Sequence, residues 1–174
     1  NIIDKCIKSI NDNIPIIIVE NSNNLKFKEY LEGKYKNVEC ILSGQNLGMG
    51  AANNIGIKLC KTDYVFIINP DVILEKNTLD SIYESSKKIN EFSILSPINS
   101  DLNFPNYKYD RIIKNDNHPF RVNYIDGFSM LINKKKFIND DYFDENFFLY
   151  LENDDLCLRT KKQGGLIYIV PTSK

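Results

Sequence analysis

The carboxylates best placed for chemistry in this sequence are Asp71 and the group Glu152, Asp154 and Asp155. Asp71 lies just beyond five apolar residues, Tyr64 to Ile68, rich in aromatic and β-branched types and too short for a helix. Such a run suits a strand covered on both faces. Pro70 has no amide hydrogen to give a sheet, and it biases Asn69 away from helical geometry, so the chain turns where the strand emerges. Asp71 is therefore expected at the carboxyl end of a buried strand, where open α/β sheets bind ligands. Two roles fit it: an acceptor for turn or N-cap hydrogen bonds, or a ligand for a hard cation such as Mg2+ or Mn2+ that carries phosphate.

The second group follows directly on the aromatic segment Tyr142 to Leu151. On a helix begun near Glu152, a spacing of three and four places Glu152, Asp155 and Arg159 on one face and Asp154 on the opposite one. The helix dipole favours acids in a first turn, and Asp155 with Arg159 makes an i,i+4 pair, which needs no chemistry. The functional alternative is a carboxylate, made more basic by aromatic walls, that removes a proton from an acceptor hydroxyl. A third stretch, Ser43 to Asn54, is built of small and amide residues and runs into a helix. It reads either as a tight strand-to-helix turn or as a loop whose open amides receive an anion.

These residues need elements to hold them. Ile2, Ile3, Cys6, Ile7 and Ile10 fall at helical spacing. Ile14 to Val19 reads as a buried strand ending in the polar turn Glu20 to Asn24, followed by a helix from Leu25 to Gly33 and a strand from Val38 to Leu42. A helix reaching about Cys60 precedes the Tyr64 to Ile68 strand. Leu79, Ile82, Tyr83 and Ile89 mark one face of a helix over Thr78 to Asn90, and Phe92 to Ser96 returns as a strand. This alternation predicts a parallel, doubly wound α/β sheet. From Asn99 to Asn123 the rhythm is lost. That stretch carries Lys108, Arg111, Lys114, Arg121 and His118, the one histidine, which is read as a loop residue. Strands over Val122 to Ile125 and Phe128 to Ile132 flank Asp126-Gly127. A short polar helix over Lys134 to Asn139, the acidic helix ending at Gly164-Gly165 and a strand over Leu166 to Val170 complete the order.

A chain of 174 residues, 43% hydrophobic and 26% charged, is the size and composition of one globular domain. Its formal charge of −1 gives no global basic field and argues against a nucleic-acid partner. No apolar run approaches the roughly 20 residues that span a bilayer, and a cytoplasmic location is expected. Cys6, Cys40, Cys60 and Cys157 are widely spaced in apolar surroundings, as buried thiols of a reducing compartment would be.

In order, these pieces resemble family 2 glycosyltransferases of the GT-A fold, especially the rhamnosyltransferase-like group of bacterial surface polysaccharide synthesis. The resemblance spans nearly the whole chain. It rests on Val19-Glu20-Asn21-Ser22, Asn46-Leu47-Gly48 with Ala52-Asn53-Asn54-Ile55-Gly56, Asn69-Pro70-Asp71, Asp126-Gly127 before Met130-Leu131, and Phe143 to Phe148 leading into Glu152 to Arg159. The resemblance implies one catalytic domain over residues 1–174, with 1–98 binding the nucleotide sugar and 99–174 the acceptor. Asp71 would hold a divalent metal, Mg2+ or Mn2+, on the donor diphosphate. Glu20, Asn46, Gly48, Asn54, Asn69 and Gly127 would line the donor cleft. The partners implied are a nucleoside-diphosphate sugar and a saccharide or lipid-linked acceptor, with action at the inner face of the membrane and association into a homo-oligomer as further expectations.

Four departures stand out. Asn69 is neutral where the family's metal motif begins with an acid, and Glu20 replaces a usual aspartate. Asn153 occupies the position of the family's usual catalytic aspartate, so the role of base passes to Glu152 first and Asp155 second. The chain also starts and stops inside the family pattern, which predicts a fragment truncated at both ends with a sheet position vacant or paired to another copy. Two rivals remain: a non-catalytic nucleotide-sugar-binding or scaffold module, and a nucleotidyltransferase. The second would want a phosphate loop with the Lys or Arg that Ser43 to Ala52 lacks.

Overall fold

The structure is a computed structural model, and it describes residues 1–101, 103–108 and 117–174. Arg111 and Lys114 lie outside the described residues. The first half alternates as the apolar pattern predicts: α1 (Ile2–Lys8), β1 (Ile16–Glu20), α2 (Leu25–Lys34), β2 (Val38–Leu42), α3 (Met49–Leu59), β3 (Tyr64–Ile68), α4 (Thr78–Lys88) and β4 (Ile94–Pro97). Asn24 starts α2 by accepting a hydrogen bond from the Phe27 amide, the usual service of a short polar N-cap. The second half holds β5 (Tyr107–Lys108), β6 (Phe120–Val122), β7 (Tyr124–Ile125), β8 (Ser129–Asn133), α5 (Glu152–Lys162) and β9 (Ile167–Val170). Two 3-10 turns occupy Lys134–Lys136 and Ile138–Asp140, in place of the short helix expected there, with Asn139 inside the second in the left-handed region.

The α/β class holds, but the sheet is not the parallel one that alternation predicts. Its five strands run in the order β3-β8-β4-β9-β6. β8 lies between β3 and β4 and is antiparallel to both, β6 is antiparallel to β9, and only β4 and β9 run parallel. β1 and β2 form a separate parallel pair. The strand expected over Val122 to Ile125 divides at Asn123: β6 joins the main sheet and β7 pairs with β5. All five residues of β8 are buried, as a central strand covered on both faces requires.

Helices cover both faces. Ile57 of α3 and Leu156 and Cys157 of α5 pack with Val65, Ile94, Met130, Ile132 and Ile167 on one side. Ile82 of α4 packs with Phe92, Leu95, Leu131 and Val170 on the other. A smaller cluster of Ile7, Leu31, Val38 and Cys40 seats α1 and α2 against β2. The four cysteines are free. Among the described residues no helix is long and apolar enough to cross a membrane.

Candidate active site

The turn after β3 stands at the centre of the candidate site. The Asn69 amide donates to the Phe128 carbonyl at 2.8 Å, so the turn carrying Asp71 is joined to the segment that follows Asp126-Gly127. The Asn69 carbonyl accepts from Val72 and faces the Cys6 thiol at 3.7 Å, which secures the turn from the α1 side. Burial pushes the Cys6 thiol up to about 11, with the Asp71 charge adding to the effect, so this sulfur remains a neutral packing group. Asp71 is exposed.

The loop from Ser43 to Gly48 is organised by Asn21, a residue of the motif at the end of β1 whose role the sequence left unassigned. Its amide nitrogen donates to Asn46 Oδ1 at 3.0 Å and to the Gly48 carbonyl at 3.1 Å, while its oxygen accepts from the Leu47 amide at 2.9 Å. Glu20 is buried, and its carboxylate accepts from the Ser22 amide and hydroxyl and from the Asn24 amide. Burial works to raise its pKa, but these hydrogen bonds outweigh it and hold the carboxyl below its ordinary value. Glu20 therefore shapes its own turn.

The first amide of α3 is already taken. Phe148 places its carbonyl on the Met49 amide at 3.2 Å, and a Cβ at Gly48 would lie 2.2 Å from that same oxygen. Gly48 also has φ +82, so only glycine suits both the backbone and the close approach. Asn54 is likewise committed: its side chain exchanges hydrogen bonds with both the carbonyl and the amide of Phe143, at 2.8 and 3.0 Å, and donates to Glu145. It ties α3 to the aromatic segment. Of the remaining donor-side expectations, Asn46 is exposed, whereas the space left by Gly127 is filled by Asn153, 3.1 Å from where a Cβ would lie, and by Met49.

At the amino end of α5 neither carboxylate favoured from the sequence stands free to take a proton. Asp155 accepts from Arg159 Nε at 2.6 Å, and Arg159 also donates to the Asp141 and Tyr142 carbonyls. This fork anchors α5 to the preceding loop. Glu152 is 3% exposed, wedged by Gly50, and its Oε2 has no hydrogen-bond partner. Helical spacing sets the shared face of these two residues, and packing sets what covers each of them. Asn153, by contrast, is half-buried and donates to the Tyr124 hydroxyl at 2.8 Å and the Ile125 carbonyl at 3.2 Å. The Tyr124 phenol is held well above its ordinary value by burial first and by the nearby Asp126 carboxylate second. Next to this cluster Phe148, Leu149, Tyr150 and Leu151 are all exposed, the last two with left-handed backbone.

Among the described residues no three His, Cys, Asp or Glu side chains converge as a metal centre. One exposed carboxylate at Asp71 suits a hard cation that keeps its waters and takes further ligands from phosphate oxygens, and does not suit a resident metal held by protein alone.

The family model described as Glycosyl transferase family 2 matches residues 1–155. Rhamnosyltransferase WbbL of Escherichia coli is 26% identical over 205 residues, an alignment covering 97% of this chain and 75% of that protein. The N-acetylglucosaminyl-diphospho-decaprenol L-rhamnosyltransferase of Mycobacterium tuberculosis is 23% identical over 200 residues, covering 92% of this chain and 65% of that protein. Among solved structures, GalNAc-T7 with UDP, GalNAc and Mn2+ superimposes with a TM-score of 0.73 at 14% identity, over 90% of this chain and 36% of that one. At such identity the likeness is one of fold.

Proposed function

The chain belongs to glycosyl transferase family 2, and from that premise we propose that it moves a sugar from a nucleoside-diphosphate donor to a hydroxyl of a saccharide or lipid-linked acceptor in cell-surface polysaccharide synthesis. The observation that carries this reading is the convergence of the Asp71 turn and the amino end of α5 on the segment Asp126 to Phe128, through the Asn69 to Phe128 hydrogen bond and the packing of Asn153 on Gly127. Donor and acceptor groups thus meet at the carboxyl end of β3, where ligands of α/β sheets bind.

Asp71 would hold a divalent cation that comes with the donor, and the cation would supply charge neutralisation for the departing diphosphate. Asn46, Asn69 and the Gly48 loop form the donor side, held in place by Asn21. The transfer is a single displacement with inversion: a carboxylate removes the acceptor's proton as its oxygen attacks the anomeric carbon. A rhamnosyl donor is the finer reading, supported by the names of both relatives above, and a prenyl-diphosphate-linked acceptor is supported by the name of the second. A lipid-linked acceptor would bring the protein to the inner face of a membrane.

The test is release of nucleoside diphosphate from UDP-, dTDP- and GDP-sugars with N-acetylglucosaminyl-diphospho-decaprenol as acceptor. Turnover with one donor class, coupled to sugar on the lipid, is the expected result. The second reading, a non-catalytic nucleotide-sugar-binding module, is favoured by the neutral Asn153; nucleotide binding with no turnover for any donor would establish it instead.

A further inference from the structure

The edge of the main sheet remote from the candidate active site holds a cavity that sugar transfer leaves unused. We propose that this cavity binds one neutral sugar ring, either as a free monosaccharide or as a unit of a glycan chain.

Its place follows from the strand directions. β3 and β4 are both antiparallel to β8, so they run the same way, and their carboxyl ends share the edge that carries the Asp71 turn. The cavity opens at the other edge, where Ser93 and Leu166 precede the first residues of β4 and β9 and where α5 ends. The length of β4 separates the two edges by about 13 Å. The cavity has a volume of about 210 Å³, the space of about seven waters. That is below the usual range for a drug-sized ligand and admits a single ring.

The walls carry unspent hydrogen-bonding capacity. Thr160 lines the cavity at 4% exposure, and its hydroxyl oxygen has no hydrogen-bond partner among the described residues. Ser93 Oγ and Thr160 Cγ2 lie 2.6 and 2.7 Å from where a Cβ of Gly165 would be, so the two hydroxyl-bearing side chains meet over a glycine. Asn133 gives its backbone amide to the Ser93 carbonyl at 3.0 Å and Nδ2 to the Phe92 carbonyl at 3.1 Å. Its Oδ1 is a second buried atom without a partner among the described residues. Buried polar groups left open cost free energy, and a polar occupant relieves that cost.

The lining also selects the occupant. Lys136 and Glu91 lie 2.5 Å apart and neutralise each other, so the cavity favours neither an anion nor a cation. The hydroxyls of Ser93 and Thr160 and the carboxamide of Gln163 both donate and accept, as sugar hydroxyls do. Phe137 and Leu166 add apolar surface for the C–H face of a ring. A neutral polyol of ring size meets the volume, the charge and the hydrogen-bonding pattern together.

The experiment titrates the whole chain with D-glucose, N-acetylglucosamine, L-rhamnose and their methyl glycosides, following backbone amide NMR shifts and thermal melting. The wild type, Thr160→Val and Gln163→Phe are compared. Saturable shifts centred on Ser93, Thr160 and Gly165 are expected, with a Kd of about 1 mM for the preferred sugar. Thr160→Val should weaken it about fivefold or more without lowering the melting point, because the hydroxyl has no partner to lose. Gln163 is exposed, and a phenyl ring there would fill the mouth and abolish binding without touching the core. Equal affinity for the methyl glycoside assigns the site to a unit within a glycan, and binding of the free sugar alone assigns it to a monosaccharide. No saturable shift with any of these sugars, shifts centred on the Asp71 turn instead, or wild-type affinity in both variants would overturn the proposal. No donor and no turnover enter the measurement, so transfer stands or falls separately.

Discussion

Asn54 holds the amide and the carbonyl of Phe143 with a single carboxamide, joining two points 89 residues apart in sequence. Its residue type marked it as a candidate ligand, and nothing local in the sequence could reveal the distant backbone it grips. Removing the side chain leaves a buried amide and carbonyl without partners, at a cost of about 1–3 kcal/mol. Asn54→Ala is therefore expected to lower the unfolding free energy from urea titration by that amount and to loosen the aromatic segment over α3; an unchanged unfolding free energy would show that the clamp contributes nothing. The same limit governed the acids of α5. Helical spacing correctly set Asp155 on the face of Arg159, but only the packing shows that Arg159 reaches on to Asp141 and Tyr142. Asn153 stood in the sequence among those acids, and its partners Tyr124 and Ile125 lie 29 and 28 positions away.

At the level of elements, α1 is fastened to α2 by Asp4. Its carboxylate accepts from the Tyr35 hydroxyl at 2.6 Å, the Tyr30 hydroxyl at 2.8 Å and Lys34 at 3.0 Å. These three, with Tyr35 the strongest, hold the Asp4 carboxyl far below its ordinary range. Because the folded carboxyl titrates below its unfolded value of about 4, its stabilisation is complete above that pH and is lost as pH falls towards the folded value. Asp4→Asn should accordingly melt lower than the wild type by a constant margin from about pH 5 to about pH 8. The margin should shrink below about pH 4, and a margin that does not change across the acid range would contradict this account of the α1 to α2 contact. The strand and helix spans themselves were legible, since apolar runs and helical periodicity are local properties. The division of one expected strand into β6 and β7 at Asn123 was not, because it follows from two different partners, β9 and β5.

For the whole molecule, alternation of strands and helices identified the α/β class and failed on strand direction. β8 enters between β3 and β4 from the Asp126-Gly127 turn, and that insertion, fixed by tertiary packing, makes the main sheet mixed. It also brings Asp126 to Phe128 against the Asp71 turn, so the feature least visible in the local pattern is the one that assembles the site. The central claim is that this site takes a nucleoside-diphosphate sugar with a divalent cation held by Asp71. Calorimetric titration of UDP-, dTDP- and GDP-sugars, with and without Mn2+, into the wild type and Asp71→Ala tests it most directly. The account predicts binding of one nucleotide class that requires Mn2+ and disappears in Asp71→Ala; binding of none, or binding indifferent to both metal and substitution, would contradict it.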